Sequence, residues 1–443
     1  MEAGGPSPEL VAELEDWLRI PSVSMGDVDP AAMARAVDWA CERIIAAGGE
    51  AERSTVHGGN PLAVGELRSG SENAPTVLIY GHYDVQSPGD PGAWTSPPFE
   101  PQIRDGRIYA RGAADDKGNF LPLLHVACEL AREGELPVNV RFLVEGEEEV
   151  GSEGVLRYLA DQPPEVDAAI VFDSTMADEH TPAISIGARG MVQGPVVVRT
   201  GARDLHSGLY GGAVLNATHV LMRVLREVLP DEHGRVREEL RAGVEPMTET
   251  ERESCGRLPS GEEAIREAGA AEVTQGAAGE FWERTGADTS VDVNTLESGE
   301  PRTVIPHEAR AQLSIRLAAG QSAERVAAEA ERLMRAALPD GAELSVRSEL
   351  AEPALFDVEE PALQLAGEAL DRACGTAPAF VRLGGTLPLL AVLAEQRIPT
   401  IVSGFALGAD AFHAPNESYR LESLALGELA ARELYQALSR VPR

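Results

Sequence analysis

The feature that most constrains the fold of this chain is an alternation of short apolar strands with helices in its N-terminal part. The segments 76–80, 138–145 and 168–172 are rich in apolar and β-branched residues, which is typical of strands buried on both faces. Helical patterns occupy 117–133 and 153–161 between them. Strands that alternate with helices pair in parallel, so the sequence predicts an α/β fold with a mixed, largely parallel sheet flanked by helices.

Each of these strands is followed by a side chain that can bind a metal ion. His82 and Asp84 follow the first strand, the glutamates at 147–149 follow the second, and Asp173 ends the third. In open parallel sheets, ligands bind beyond the carboxyl ends of the strands. An H-x-D sequence alone is common in hydrogen-bonded loops, but three strand ends with metal-competent groups indicate a site.

Asp84 has a role of its own in this prediction. A histidine at a rigid strand end is a good metal ligand, and a carboxylate two residues later can hold its other ring nitrogen. We therefore expect Asp84 to orient His82.

Length and composition exclude several classes of protein. The 443 residues exceed one typical domain, and 43% apolar with 25% charged residues is close to globular averages. The net charge of −34 argues against nucleic-acid and anionic-membrane partners, because the electrostatic interaction would be repulsive. The chain lacks a long apolar span, and its N-terminus M-E-A-G-G-P-S-P-E lacks the pattern of a signal peptide, so we expect a cytoplasmic protein.

Arginine has almost wholly replaced lysine, and Lys117 is the only lysine in the chain. A compositional bias accounts for the replacement. A lysine that survives within D-D-K-G indicates a local requirement at that position.

The pattern changes beyond residue 190, where strands and helices no longer alternate. Strand patterns cover 196–198, 291–293 and 309–317, and helical patterns cover 214–229 and 321–337. We expect residues 191–354 to form an inserted α+β domain, and 1–190 with 355–443 to form the catalytic domain. Within the insertion, the segment 231–288 is acidic and polar and has no strong apolar period.

The candidate metal ligands are spread over most of the chain. They are His82, Asp115, Glu148 or Glu149, Asp173 and His413. Two histidines with several carboxylates suit zinc or manganese, and they are more ligands than one four-coordinate ion uses. Two ions that share one carboxylate would use them all.

Eight motifs are spread over nearly the whole chain. They are L-R-I-P-S-V-S at 18–24, G-H-Y-D-V-Q at 81–86, R-G-A-A-D-D-K-G at 111–118, E-G-E-E-E-V-G-S at 145–152, D-L-H-S-G-L-Y-G-G at 204–212, R-T-V-I-P at 302–306, S-I-R-L at 314–317 and G-G-T-L-P at 384–388. In these motifs and in their order the chain resembles a known family, the dinuclear metallopeptidases that include aminoacylase, succinyl-diaminopimelate desuccinylase, acetylornithine deacetylase and the carnosinase-type dipeptidases.

The resemblance implies a zinc-exopeptidase-like catalytic domain with two divalent ions, zinc first and manganese or cobalt as alternatives. His82 and Asp173 would bind one ion, and Glu149 and His413 the other, while Asp115 would bridge them. The implied reaction is amide hydrolysis in small substrates, above all dipeptides, by a hydroxide that bridges the two ions.

In this reaction Glu148 would be the general base. The resemblance also implies a cis peptide bond between Asp115 and Asp116. A catalytically silent binding protein of the same family is disfavoured, because every metal position and the base are present.

The inserted domain would form a homodimer, as in the dipeptidase branch. His206 and Thr303 would then act in the active site of the partner subunit. Arg316 and the pair Gly385 and Thr386 would hold the carboxylate of the substrate.

One position departs from the family pattern. Dipeptidases of this branch commonly have R-E-G-G-S-I-P where this chain has R-L-G-G-T-L-P, so Leu383 replaces an acidic residue. If that acid recognises a free amino end, an N-acyl amino acid becomes a more suitable substrate. The alternative function is therefore an N-acyl amino acid deacylase of the acetyl or succinyl type.

Overall fold

A computed structural model describes residues 5–55 and 59–442. By the density of their internal contacts the residues form two compact units. The first contains Met1–Ile186, Phe356–Val381 and Val392–Arg443, and the second contains Gly187–Leu355 and Arg382–Ala391.

The helices and strands have the following bounds in chain order. The α-helices are α1 (Pro8–Leu18), α2 (Pro30–Ala46), α3 (Lys117–Glu133), α4 (Glu153–Asp161), α5 (Ser207–Tyr210), α6 (Ala217–Leu225), α7 (Glu249–Cys255), α8 (Gly261–Glu267), α9 (Ala323–Ala336), α10 (Pro361–Cys374), α11 (Pro388–Glu395) and α12 (Leu421–Leu438). The strands are β1 (Glu50–Ser54), β2 (Leu62–Leu67), β3 (Thr76–His82), β4 (Gln102–Arg104), β5 (Arg107–Tyr109), β6 (Asn139–Glu145), β7 (Ala168–Val171), β8 (Ala183–Ala188), β9 (Gly190–Arg199), β10 (Leu205–His206), β11 (Ser290–Ser298), β12 (Val304–Ile305), β13 (Glu308–Leu317), β14 (Glu343–Val346), β15 (Glu349–Ala351), β16 (Ala354–Leu355), β17 (Ala379–Leu383), β18 (Thr400–Val402) and β19 (Ser418–Arg420).

A mixed sheet forms the centre of the first unit, with the strand order β1-β2-β6-β3-β7-β18-β8. Strand β3 pairs in parallel with β6 and β7, and β18 pairs in parallel with β7. Strands β1 and β2 extend the sheet in antiparallel fashion on one side. Strand β8 also pairs with β18 and β16 in antiparallel fashion. The predicted mixed sheet with flanking helices is therefore confirmed, but only its centre, from β6 to β18, is parallel.

The helices of the first unit begin and end at the expected signals. The hydroxyl of Ser7 accepts a hydrogen bond from the Leu10 amide at the start of α1, and Asp29 caps α2 in the same way. Helix α3 ends at Gly134, whose φ of 74° is the left-handed conformation that glycine adopts most easily. The bounds predicted for α3 and α4 agree with the structure.

Lys117 is completely buried at the start of α3. Its Nζ donates hydrogen bonds to the carbonyl oxygens of Trp17 (3.1 Å) and Ile20 (3.0 Å) at the end of α1. Because this contact uses a slender ammonium group between two backbone carbonyls, the larger planar guanidinium of an arginine does not replace it. This explains why a lysine persists here.

An antiparallel sheet with the order β11-β13-β9-β14 forms the centre of the second unit, and β15 also pairs with β9. Helices α6 and α9 pack on it and share its apolar core, which includes Val198, Leu221, Ile315, Leu317 and Met334. The segment 231–288 contains α7 and α8, each with a capping box, at Thr248 with Glu251 and at Ser260 with Glu263.

The segment 382–391 packs within the second unit, although the sequence analysis placed it with the C-terminal part of the catalytic domain. A buried ion pair between Arg382 and Glu251 (2.9 Å) and a hydrogen bond from Arg316 to Thr386 (2.7 Å) hold it there. Across the described ranges 5–55 and 59–442, every helix is too short or too polar to span a bilayer.

Candidate metal centre

The ends of three neighbouring strands in the first unit bring three side chains together. His82 is the last residue of β3, Glu148 lies in a single 3-10 turn (Glu148–Val150) after β6, and Asp173 follows β7. One potential ligand atom from each of them lies within 4.8 Å of the others. The prediction from strand order thus corresponds to an actual cluster.

A second group of three ligands consists of Asp115, Glu149 and His413. His413 Nε2 lies 3.3 Å from Glu149 Oε2 and 2.9 Å from Asp115 Oδ2. The other oxygen of Asp115, Oδ1, lies 3.1 Å from His82 Nε2. Asp115 therefore stands between the two groups, with one carboxylate oxygen toward the histidine of each.

Asp84 fixes both the ring of His82 and the loop that carries the two glutamates. The backbone carbonyl of Asp84 lies 2.9 Å from Nδ1 of His82, so the ring proton belongs at Nδ1 and Nε2 keeps its lone pair for a metal. The Asp84 carboxylate accepts hydrogen bonds from the backbone amides of Glu148 (3.3 Å) and Glu149 (3.2 Å). The expected orienting role thus falls to the Asp84 carbonyl, while its carboxylate, 3.4 Å from Nδ1, anchors the neighbouring loop.

Glu417 is a site residue that the sequence reasoning missed. Its carboxylate is fully buried and accepts hydrogen bonds from Arg111 Nη1 (2.6 Å) and from the amides of Gly112 (3.0 Å), Ala114 (2.8 Å) and Asp115 (3.2 Å). It thereby shapes the loop that presents Asp115. The only signal for it in the sequence is that it follows His413 by four residues in H-A-P-N-E.

The peptide bond between Asp115 and Asp116 is cis, as the family resemblance implied. The carboxylate of Asp116 accepts a hydrogen bond from the His82 amide (3.2 Å). This contact joins the Asp115 loop to the end of β3.

Negative charge accumulates in this cluster. Burial and the charge of Asp173 raise the pKa of Glu148 to about 9, and burial raises the pKa of Asp173 to about 7. Hydrogen bonds to Asp115 and Glu149 raise the pKa of His413 to about 10. Burial alone would lower the pKa of His82, but its contacts with Asp115 and Asp84 outweigh that effect.

The donor set fits divalent cations. Within the described residues, no arginine or lysine lies within 4.0 Å of the carboxylates of Asp115, Glu148, Glu149 or Asp173. The buried Oε1 of Glu149 has no hydrogen-bond partner there, so this oxygen is free to bind an ion. Oxygen and imidazole donors in two groups of three, sharing a central carboxylate, suit two ions of the zinc or manganese type.

The side chains predicted to bind substrate lie in the second unit, in two separate places. Nη1 of Arg316 donates to Oγ1 of Thr386 (2.7 Å), and that hydroxyl donates to the carbonyl of Arg189 (2.6 Å). The carbonyl of Gly385 accepts from the amide of Arg189 (3.0 Å). The structure therefore joins three predicted residues through Arg189, which the sequence reasoning did not single out.

His206 lies opposite Val304 in the two-residue pairing of β10 with β12, and Thr303 is the residue before β12. The amide of Ser207 donates to the Thr303 carbonyl (3.1 Å). The amide of Gly208 donates to Nδ1 of His206 (3.0 Å), so the neutral ring carries its proton on Nε2. His206 is exposed and can offer that N–H to a ligand.

Comparisons with known proteins agree with this site. The family model "Peptidase family M20/M25/M40" matches residues 78–437. A "Cysteinylglycine-S-conjugate dipeptidase" from Corynebacterium striatum is 32% identical over 370 residues, which is 80% of this chain and 80% of that protein.

Two further similarities extend over most of the chain. The human "Beta-Ala-His dipeptidase" is 28% identical over 378 residues, 81% of this chain and 73% of that protein. The crystal structure of the M20 family metallo-carboxypeptidase Sso-CP2 from Sulfolobus solfataricus superposes with a TM-score of 0.87 at 26% identity, covering 97% of this chain and 99% of that one.

Proposed function

The chain belongs to peptidase family M20/M25/M40, and from that membership and the metal centre we propose that it is a two-metal dipeptidase. The observation that carries the proposal is the position of Asp115, whose two carboxylate oxygens face the histidines of two separate ligand groups. The substrate class is supported by the two relatives that are named as dipeptidases.

In this proposal His82 and Asp173 hold one divalent ion, Glu149 and His413 hold the other, and Asp115 is shared. Zinc is the proposed metal, with manganese and cobalt as alternatives, because all three accept imidazole and carboxylate donors. When bound, such a pair of ions polarises the scissile carbonyl group and makes a water molecule more acidic.

Glu148 is the proposed general base. As the water oxygen forms its bond to the carbonyl carbon, one water proton moves to a carboxylate oxygen of Glu148. The same proton passes to the amide nitrogen when the carbon–nitrogen bond breaks, so that the leaving group departs as a neutral amine. Such a proton shuttle contributes about 10²–10⁴-fold to the rate.

His206 is the proposed donor to the developing oxyanion, because Gly208 occupies its Nδ1 and, among the residues that the structure describes, its Nε2–H has no acceptor. We propose that the second unit is a lid and dimerisation domain. His206 and Thr303 then serve the active site of the partner subunit. A mixture of His206→Ala and His413→Ala subunits, each inactive alone, should regain part of the activity; no recovery would contradict the role across the dimer.

Arg316, with Gly385 and Thr386, is proposed to bind the free carboxylate of the substrate. A guanidinium forms two parallel hydrogen bonds to a carboxylate, which fixes the substrate's orientation as well as its position.

The cytoplasmic location and the absence of nucleic-acid and membrane partners stay predictions.

The experiment that tests the function is removal and replacement of the metal. Dialysis against a chelator should abolish dipeptide hydrolysis, and added zinc, manganese or cobalt should restore it. Elemental analysis of the reloaded protein should give two ions per chain. A single tightly bound ion with full activity would contradict the two-metal site.

Leu383 favours one second candidate, the N-acyl amino acid deacylase. Its side chain stands next to the G-G-T-L-P motif where related dipeptidases have an acid. A screen of the reloaded protein against Ala-X, Gly-X and β-Ala-His, beside N-acetyl and N-succinyl amino acids, separates the two functions. Cleavage of only the blocked substrates would replace the dipeptidase proposal with the deacylase.

A further inference from the structure

Gln86 ends the G-H-Y-D-V-Q motif and contacts a carboxylate of the candidate metal centre. Its Nε2 donates a hydrogen bond to Oε2 of Glu149 (2.8 Å), which lies 63 residues further along the chain. Among the described residues, the only other side-chain nitrogens in contact with the four carboxylates of the two ligand groups belong to His82 and His413. Gln86 is therefore the one donor to these carboxylates that is not itself a candidate ligand.

The segment that carries Gln86 holds Glu149 at two points. The carboxylate of Asp84 accepts a hydrogen bond from the Glu149 amide (3.2 Å), and Gln86 donates to the Glu149 side chain. His82, Asp84 and Gln86 are spaced by two residues, and side chains at this spacing lie on one side of an extended chain. The backbone and the carboxylate of Glu149 are thus both fixed relative to His82.

The backbone on either side of Gln86 is itself held in place. Val85 is fully buried and forms a parallel bridge with Val23. The carbonyl of Ser87 accepts a hydrogen bond from Nη2 of Arg111 (3.2 Å). Because both neighbours are anchored, the partly buried Gln86 side chain starts from a fixed point when it reaches Glu149.

The two ligand histidines are supported differently. Nδ1 of the fully buried His82 meets the Asp84 carbonyl (2.9 Å), which is the contact that usually fixes a metal-binding imidazole. The His413 side chain is 53% exposed, and its Nδ1 has no hydrogen-bond partner among the described residues. In the group around His413, the contact from Gln86 to Glu149 supplies the support that the histidine lacks.

A neutral donor suits this position. An arginine or lysine at 86 would cancel the charge of Glu149, whereas an amide orients the carboxylate and leaves its charge for a cation. Each carboxylate oxygen has two acceptor positions, so Gln86 leaves one of them open on Oε2. The buried Oε1 has no hydrogen-bond partner among the described residues. Glu149 is therefore oriented without being saturated.

We propose that Gln86 is a positioning residue for the metal ion that Glu149 and His413 hold. It acts through the Glu149 carboxylate, so its loss weakens that ion and spares the ion at His82 and Asp173. The inference rests on the proposed two-metal function.

The test is Gln86→Met, which keeps the length of the side chain and removes the donor. Zinc is added back to the metal-free protein in competition with a chromogenic chelator, so that both dissociation constants are measured without reference to activity. We expect one of them to rise by about 10–100-fold, as for other groups that orient metal ligands, and the other to stay unchanged. Gln102→Met, at an exposed glutamine of β4 in the same unit, is the control and should change neither.

Two single-ion backgrounds show which ion is affected. His413→Ala protein should keep the ion at His82, and adding Gln86→Met should leave its affinity unchanged. Asp173→Asn protein should keep the ion at His413, and adding Gln86→Met should weaken it by the same about 10–100-fold. Equal weakening of both ions would indicate a general loss of structure, and it would overturn the inference just as the reverse pattern would.

The outcomes separate this inference from the proposed function. If Gln86→Met binds two zinc ions with wild-type affinity, the inference fails and the two-metal dipeptidase stands. If the wild type binds two ions in a way that depends on Gln86 but cleaves no dipeptide, the inference stands and the dipeptidase fails. Fewer than two ions bound by the wild type would overturn both.

Discussion

The candidate metal centre of the first unit and the two arginines Arg189 and Arg316 of the second unit are opposite in charge. The first gathers four carboxylates and two histidines without an arginine or lysine at ion-pair distance among the described residues. The second holds Arg189 and Arg316 on neutral oxygens. In a chain of net charge −34, both regions leave local charge unmatched. The difference teaches that unmatched charge, more than total charge, indicates what each region binds.

The strongest way to sharpen this comparison is to neutralise one carboxylate at a time in the metal centre. Glu148→Gln should keep both ions and lower kcat by about 10²–10⁴-fold, because the proton acceptor is lost. Glu149→Gln is the matched variant and should lose metal as well as activity. Steady-state kinetics and elemental analysis of both variants separate loss of the base from loss of metal. Wild-type turnover in reloaded Glu148→Gln would show that another group is the base.

On the cationic side, Arg316→Lys keeps the charge and removes the planar pair of donors. We expect KM for dipeptides to rise by about 10–100-fold with a smaller change in kcat, because charged hydrogen bonds of this kind contribute about 1.5–3 kcal/mol. Steady-state kinetics measure the change in KM and the change in kcat separately. An unchanged KM would mean that the carboxylate is bound elsewhere.

Glu417→Gln tests whether the buried carboxylate behind Asp115 belongs to the metal centre. The substitution keeps the shape of the side chain and removes the negative charge that accepts hydrogen bonds from the backbone amides of the Asp115 loop. We expect metal affinity to fall by about tenfold, at the lower end of the ~10–100-fold effects of groups that orient metal ligands. Competition with a chromogenic chelator measures the affinity, and Glu433→Gln, at a half-exposed glutamate that pairs with Arg372, is the control.

The smallest expected effect concerns Lys117, a buried cation of the first unit that no carboxylate contacts within 4.0 Å among the described residues. Lys117→Met should lower the free energy of unfolding by about 1–2 kcal/mol, because two buried carbonyls lose their donor. Urea denaturation of the metal-free protein measures the change. Arg132→Met, at an exposed position of α3, should leave stability nearly unchanged, and equal effects would contradict a special role for Lys117.

The part of the site that follows from strand order was predictable from sequence. His82, Glu148 and Asp173 were found because each follows a strand of one parallel sheet, and the carboxyl ends of such strands meet at one edge. Asp115 and His413 were candidate ligands by residue type alone, since loops carry them, and the family resemblance was needed to assign them to particular ions. Their roles as ligands stay predictions.

Other features depend on contacts between distant parts of the chain, and these were not predictable. Glu417 and Arg189 act through partners far away in sequence. Strand β1 (E-A-E-R-S) has no apolar alternation, because it lies at the edge of the sheet and is largely exposed. The capping boxes of α7 and α8 were present in the sequence and would have located two helices in the segment 231–288.

The burial of the single lysine determines how the folded protein reacts with reagents that modify lysine side chains. Enzymes, succinimidyl dyes and aldehydes modify a lysine only when its ε-amine is accessible, and the ε-amine of Lys117 is enclosed between Trp17 and Ile20. Carbodiimide coupling through the abundant surface carboxylates is the practical route to immobilise or label it. Appearance of an ε-amine adduct would then report the opening of α1 from α3.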